Sequence, residues 1–335
     1  MPHPPWSDLH ARIHRELRVR SLLPQGCGLV VAVSGGQDSI ALLRLLVDLQ
    51  PKWHWRLWAV HGDHGWRPDA AENATFVADL CQRWGVPCQV ITAETRPATE
   101  ADARQWRYGI LGHAAQSLGA THIATGHTAT DRAETLLYNL LRGSGTDGLQ
   151  ALAWQRPLSP APPNLTVVRP LLALTRQDTA QFCQQFGLPL WIDDTNTDLT
   201  YARNRLRLEV FPLLQRHFNP RVEQTLAHTA EILTAEVALL EQLTEELYAQ
   251  TVQNRDLFWV IQRSALQPTP LALQRRVLRR LLQQVMTAPV TFDQVEKLVA
   301  LMSAPNRSQT DPFPGGWLAK VEADQIHLLP GATQG

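Results

Sequence analysis

At 335 residues the chain is too long for one ordinary hydrophobic core and too short for three, which favours two domains. Hydrophobic residues at 44% and charged residues at 19% exclude a disordered or collagen-like chain, and no stretch nears the ~18 uninterrupted apolar residues of a membrane span. Lys plus Arg at 31 against Asp plus Glu at 31 gives zero formal net charge, which speaks against a binder that relies on global positive charge.

Leu29-Val-Val-Ala-Val33 is a short apolar run that ends in Ser-Gly-Gly and is followed by a helical pattern from Ile40 to Leu49: strand, loop, helix. The order then repeats. Leu57 to His61, Pro87 to Thr92 and His122 to Thr125 read as strands, alternating with helices at Asp69 to Trp84, Glu100 to Leu118 and Thr130 to Arg142. Such alternation predicts an α/β fold with a parallel sheet covered by helices on both faces. A Pro-rich loop at Arg156 to Asn164 precedes a strand at Val167 to Leu171 and a helix at Thr175 to Phe186, with Thr175 as N-cap and Gly187 as stop.

The texture changes near Pro220. Val222 to Gln250 is a long helical stretch with five glutamates and no cation between Glu231 and Glu246, followed by helices at Leu271 to Val285 and Thr291 to Met302. Trp317 to Val321 and Gln325 to Leu329 read as a terminal β-hairpin. We therefore expect a catalytic domain at 1–218 and a smaller, mainly helical domain at 219–335. Cys27, Cys81, Cys88 and Cys183 make neither a disulfide framework nor a zinc-spaced pair, and Met1-Pro-His-Pro-Pro5 lacks the apolar stretch of a signal peptide, so a cytoplasmic location is expected.

Ser34, Gly35, Gly36, Gln37, Asp38 and Ser39 lie where a parallel sheet places its ligand crevice, at the carboxyl end of a strand and the start of a helix. Two glycines let the backbone approach a phosphate, successive N–H groups make an anion nest, and the helix dipole adds positive potential. A carboxylate at Asp38 is repelled by a polyphosphate unless it holds Mg²⁺ or a cationic substrate group. The alternative is a tight turn with Asp or Ser capping a helix. This hexapeptide resembles the PP-loop of the ATP pyrophosphatases, which cleave ATP between the α and β phosphates; the GK[ST] of a Walker A loop is absent.

Three later stretches narrow the resemblance. Ala59-Val-His-Gly-Asp-His-Gly-Trp-Arg67, Ala124-Thr-Gly-His-Thr-Ala-Thr-Asp-Arg-Ala-Glu-Thr135 and Leu190-Trp-Ile-Asp-Asp-Thr-Asn-Thr-Asp-Leu-Thr-Tyr-Ala-Arg-Asn-Arg-Leu-Arg207 are similar, in order and spacing, to signature blocks of the tRNA(Ile)-lysidine synthetase family. The resemblance implies ATP and Mg²⁺ at Ser34 to Ser39, with Asp38 as metal ligand. It implies that lysine is joined to C2 of the wobble cytidine of an isoleucine tRNA with a CAU anticodon, by way of an adenylated tRNA. It also carries an expectation of a homodimer.

His127, Asp131 and Glu134 follow at i, i+4 and i+7, a spacing that would put an imidazole and two carboxylates on one helix face. Asp131 and Glu134 suit the two amino groups of lysine; the plainer reading is a solvated helix face. Arg107 matches a family active-site position, where a fixed cation would stabilise charge on the α-phosphate. The third block departs from the family pattern at Thr128 and Thr130, where His and Asp are usual. Arg203, Asn204, Arg205 and Arg207 open a stretch with five arginines against Glu209 alone, and Arg275, Arg276, Arg279 and Arg280 form a second basic face; Arg203 to Arg207, Arg275 and Arg279 are expected on tRNA. The second cluster has an alternative, pairing with the acidic helix Glu231 to Glu246. Rival functions are a tRNA thiolase on the same loop, which would need a reactive cysteine or an iron–sulfur cluster, and a non-catalytic tRNA-binding protein.

Overall fold

The computed structural model describes residues 6–65, 68–159, 164–192 and 198–331. Trp66 and Arg67 of the second signature block, residues 193–197 of the closing block and residues 160–163 of the Pro-rich loop lie outside them. The chain divides into two compact units, residues 1–234 and 235–335.

The first unit runs α1 (Asp8–Val19), β1 (Gly28–Ala32), α2 (Gln37–Trp53), β2 (Arg56–Asp63), α3 (Ala70–Arg83), β3 (Cys88–Thr92), α4 (Glu100–Ser117), β4 (His122–Ala124), α5 (Ala129–Leu141), α6 (Thr146–Leu149), β5 (Gln155–Pro157), β6 (Thr166–Val168), α7 (Arg176–Gln185), α8 (Ala202–Arg205), a π turn at Leu206–Val210, and α9 (Phe211–His217). Its sheet has the order β3-β2-β1-β4-β6-β5, parallel except for the edge strand β5. Leu29, Val31 and Val33 pack into one core with α1, α2, α3 and α7, while Val30 packs into another with Leu111, Ala114 and Ala115 of α4. Both sheet faces are covered, which is why β1 reads as an unbroken apolar run rather than an alternation. The strand order grows outward from β1 to β3 and then resumes at β4 on the other side of β1. That reversal is a topological switch point, and the crevice it opens lies beyond the carboxyl ends of β1 and β4.

The long helix α10 (Val222–Thr251) contains the division between the units. The division comes later than the boundary expected at 218 to 219 for a physical reason: Glu223 bonds Thr130, and Glu231 binds Arg20, Arg132 and Trp154, so the opening turns of α10 belong to the first unit.

The second unit continues with β7 (Val252–Asn254), β8 (Trp259–Gln262), α11 (Arg263–Leu266), α12 (Leu271–Val285), α13 (Phe292–Leu301), β9 (Leu318–Glu322) and β10 (Gln325–Leu329). The expected terminal hairpin is present as β9 and β10, but as half of a four-stranded antiparallel sheet of order β7-β8-β10-β9. Its core gathers Val277, Leu278, Leu281 and Leu282 of α12, Leu298 of α13, and Ile326 and Leu328 of β10.

Candidate active site

The switch-point crevice is a cleft of about 410 Å³, inside the usual range for a small-molecule site. Its walls come from the Ser34–Ser39 loop, the end of β2, one face of α4, and the segment that links β4 to α5.

The loop is built as the sequence requires. Gly35 has φ +88, and a Cβ there would stand 2.5 Å from Asn73 Oδ1. Gly36 is the N-cap of α2. Ser39 Oγ donates to the Gly36 carbonyl at 2.8 Å and accepts from the Ser34 amide at 3.1 Å, so this hydroxyl pins the loop closed. Asn73 donates to the Ser34 carbonyl at 3.1 Å. Gln37 reaches away to α7, where its amide donates to the Arg176 carbonyl at 2.7 Å and to Thr179 Oγ1 at 2.8 Å. Asp38 lines the cleft, accepts from Thr179 Oγ1 at 2.6 Å and faces Arg176 Nη1 at 3.5 Å. Burial pushes its pKa up, against the opposing pull of Arg176 and Thr179. Gly126 allows the close crossing of the β4–α5 link over this loop: a Cβ there would lie 3.1 Å from the Asp38 carbonyl and the Ser39 amide.

His127 lies outside the helix, in that link, with Nδ1 2.8 Å from Thr125 Oγ1. The single helix face expected for His127, Asp131 and Glu134 is therefore not formed, because Thr128 caps α5 and the helix starts only at Ala129. Burial, then the cations Arg169, Arg104 and Arg203, hold the His127 pKa well below its ordinary value, with Asp131 pulling the other way. The imidazole is neutral. Asp131 lies in the first turn, where Oδ2 accepts from both the amide and the hydroxyl of Thr128 at 2.8 Å. Burial acts to raise its pKa, but His127, the two Thr128 bonds and Arg207 outweigh it, and the net shift is downward. Asp131 lines the cleft as a carboxylate.

Two residues with expected ligand contacts are engaged elsewhere. Glu134 is 1% exposed, is not among the cleft-lining residues, and meets Arg207 fork to fork at 2.6 and 2.8 Å. Burial pushes its pKa up, partly offset by Arg207. Arg207, expected on tRNA, is thus spent on Glu134 and stands 3.6 Å from Asp131. Ala133 of α5, Leu206 of the π turn and Phe211 of α9 form a small apolar core that brings the two together.

The other expected tRNA contacts separate in the same way. Arg203 is exposed; Asn204 is buried, with its amide on the Asp198 carbonyl at 2.8 Å; Arg205 is exposed and donates to the carbonyls of Leu199 and Thr200. In the second unit Arg275 forks onto Glu296 at 2.8 and 3.0 Å, Arg276 pairs with Glu241, and Arg280 meets Glu245 at 2.7 Å. Pairing with the acidic helix, the alternative weighed for this cluster, is what Arg276 and Arg280 do.

Arg107 lines the cleft as expected, one turn after Arg104 and next to Tyr108. Arg104, Tyr108, Asn73 and Arg176 line it too without having been singled out from the sequence. None carries a local motif; only the packing of α3, α4 and α7 brings them there.

Two sequence models match: a PP-loop domain over residues 11–214 and a TilS substrate binding domain over residues 262–327. The chain is 51% identical to the tRNA(Ile)-lysidine synthase of Nostoc sp., covering 97% of this chain and 98% of that one. It is 48% identical to the proteins of the same name from Thermosynechococcus vestitus, covering 97% and 92%, and from Gloeobacter violaceus, covering 97% and 98%. Among solved structures, the U34-tRNA thiolase NcsA from Methanococcus maripaludis with its 4Fe–4S cluster is similar at TM-score 0.56 and 15% identity, over 68% of this chain and 77% of that one; this likeness speaks to the fold alone. By identity sustained over nearly its whole length, the chain belongs to the tRNA(Ile)-lysidine synthase family.

Proposed function

We propose that the protein ligates L-lysine to C2 of the wobble cytidine in the CAU anticodon of isoleucine tRNA, at the cost of ATP cleaved to AMP and pyrophosphate. The observation that carries this reading is one cleft that holds both a phosphate cradle at Ser34 to Ser39 and an ionised carboxylate, Asp131. The cytidine C2 oxygen attacks the α-phosphate, pyrophosphate leaves, and Arg107 shares the charge that develops. The neutral ε-amine of lysine then attacks C2, AMP departs with the oxygen, and the amine proton passes to a carboxylate. Asp38 and Asp131 both line the cleft, and either carboxylate can take that proton.

Mg²⁺ fits Asp38, because this ion takes one or two carboxylates together with substrate phosphates rather than a complete protein cage. Among the described residues no group of three or more His, Cys, Asp or Glu offers such a cage. Bound there, the ion neutralises phosphate charge. Arg203 and Arg205, exposed, are placed on tRNA phosphates, and the second unit is assigned to recognition of the tRNA. No described helix is long and apolar enough to cross a membrane.

A thiolase reading finds no support in the cysteines. None lines the cleft, and burial pushes the Cys183 thiol up to about 12 and the Cys27 thiol up to about 11, so both are inert. Incubation with ATP and the CAU tRNA tests the proposal. Pyrophosphate release without lysine, then lysine-dependent AMP release and lysidine in the digested tRNA, is expected; AMP release that ignores lysine would refute it.

A further inference from the structure

If the protein ligates lysine, as proposed above, Asp131 accounts for an ammonium group of that substrate. Free lysine also carries a carboxylate, and neither Asp131 nor Arg107 receives it.

Arg176, which lines the cleft, is matched by Asp38. Arg104 and Arg107 line it too, and among the described residues no carboxylate pairs with either; Arg107 is already assigned to the α-phosphate. Arg104 is half-buried and stands over the Tyr108 ring, its carbon 5.4 Å from the centroid, with Arg156 at 4.8 Å from the same ring. This cation–π contact uses none of the guanidinium's N–H donors, which remain for a planar, forked acceptor. Arg169, 1% exposed and bonded through Nη1 to the Ala153 carbonyl while its Nε has no partner, acts on the same Tyr108 phenol together with Arg156. Arginines thus crowd one aromatic ring with no carboxylate among them, an arrangement that an incoming anion relieves. Both Arg104 and Asp131 act on the His127 imidazole. Arg104, His127 and Asp131 line the same cleft, which thus holds a cation and a carboxylate for the opposite charges of a bound zwitterion.

We propose that Arg104, seated on Tyr108, receives the α-carboxylate of the amino-acid substrate in the cleft where Asp131 receives an ammonium group, and so selects lysine over simple diamines. A tRNA phosphate is the competing anion. The exposed Arg203 suits a macromolecular phosphate, whereas the half-buried Arg104 suits a small carboxylate.

The test compares lysine with cadaverine, which has the same reacting amine and no carboxylate, in the presence of ATP and the CAU tRNA. In the wild type the KM for cadaverine should exceed that for lysine at least about tenfold, the worth of one charge-assisted hydrogen-bond pair. In Arg104→Ala this ratio should collapse toward one, and Arg104→Lys should restore part of it. Pyrophosphate release in the absence of amine reports whether each variant is folded and adenylates tRNA. Equal wild-type KM values for the two amines overturn the proposal without any variant. A ratio that survives in Arg104→Ala also overturns it, as does a rise in the KM for tRNA instead of lysine, which would make Arg104 a phosphate contact. If the wild type forms no lysidine, the ligase reading itself has failed, a result distinct from all of these.

Discussion

At Asp131 a capping residue and the proposed ligand of the substrate ammonium coincide. Its Oδ2 closes the capping box of α5 with Thr128, and this holds the carboxylate charged and fixed at the cleft wall. Thr128→Ala removes the hydroxyl of that box and should cost about 1 kcal/mol in urea unfolding, together with a raised KM for lysine. Asp131→Asn should abolish lysine-dependent AMP release while pyrophosphate release persists. Glu134→Gln should act differently: it loosens Arg207, so turnover falls while the KM for lysine moves little. His127 brings a pH dependence whose sign is fixed by its burial as the neutral form. Its folded pKa lies below the unfolded value of 6.5, so the unfolded chain binds the extra proton and stability falls as pH drops through about 6.5. Unfolding free energies measured between pH 7 and 5 should fall in the wild type more steeply than in His127→Gln.

Among the elements, β1 to β4 and α2 to α5 and α7 follow the sequence within a few residues, β1 because it is an unbroken apolar run, whereas α1, α6, α8 and α9 are not among the elements the sequence declares. What the sequence hides has physical causes. β5, β7 and β8 have three or four residues, too few for a pattern to declare itself. β6 stops at Val168, short of the expected Leu171, because Arg169 turns its side chain to the Ala153 carbonyl and Pro170 has no amide to continue a ladder. The PP-loop and the place of Asp131 at the cleft wall are legible because both sit in local motifs. The role of Glu134 and Arg207 was not, since spacing along a helix does not reveal which partner the next segment brings to it. Gly126→Ala tests the tightest crossing in the site. A Cβ 3.1 Å from the Asp38 and Ser39 backbone should displace the loop, raising the KM for ATP at least tenfold with a modest loss of stability, about 1–3 kcal/mol.

Over the whole molecule, zero net charge is a sum of local fields of opposite sign rather than an absence of charge. The Arg275 to Arg280 face is largely matched by Glu296, Glu241 and Glu245, whereas Arg203 and Arg205 meet no carboxylate among the described residues. Replacing Arg203 and Arg205 with Ala should therefore weaken tRNA binding uniformly and reduce the salt slope by about one for each phosphate no longer neutralised, as read from affinities over a salt series. Arg275→Ala with Arg279→Ala should lower affinity less.

The opening turns of α10 also decide where the chain can be cut. A catalytic fragment that stops at residue 218 keeps every strand of the sheet, but it strips Arg132, 2% exposed, of both Glu231 and Thr234, leaves Trp154 Nε1 without its acceptor, and removes the Glu223 carboxylate from Thr130 beside the cleft. A buried guanidinium without its carboxylate costs about 3–5 kcal/mol, somewhat less here because Glu231 is itself partly in water. Expressed alone, such a fragment should come out of cells as inclusion bodies, and one that ends beyond Thr234 should stay in the supernatant.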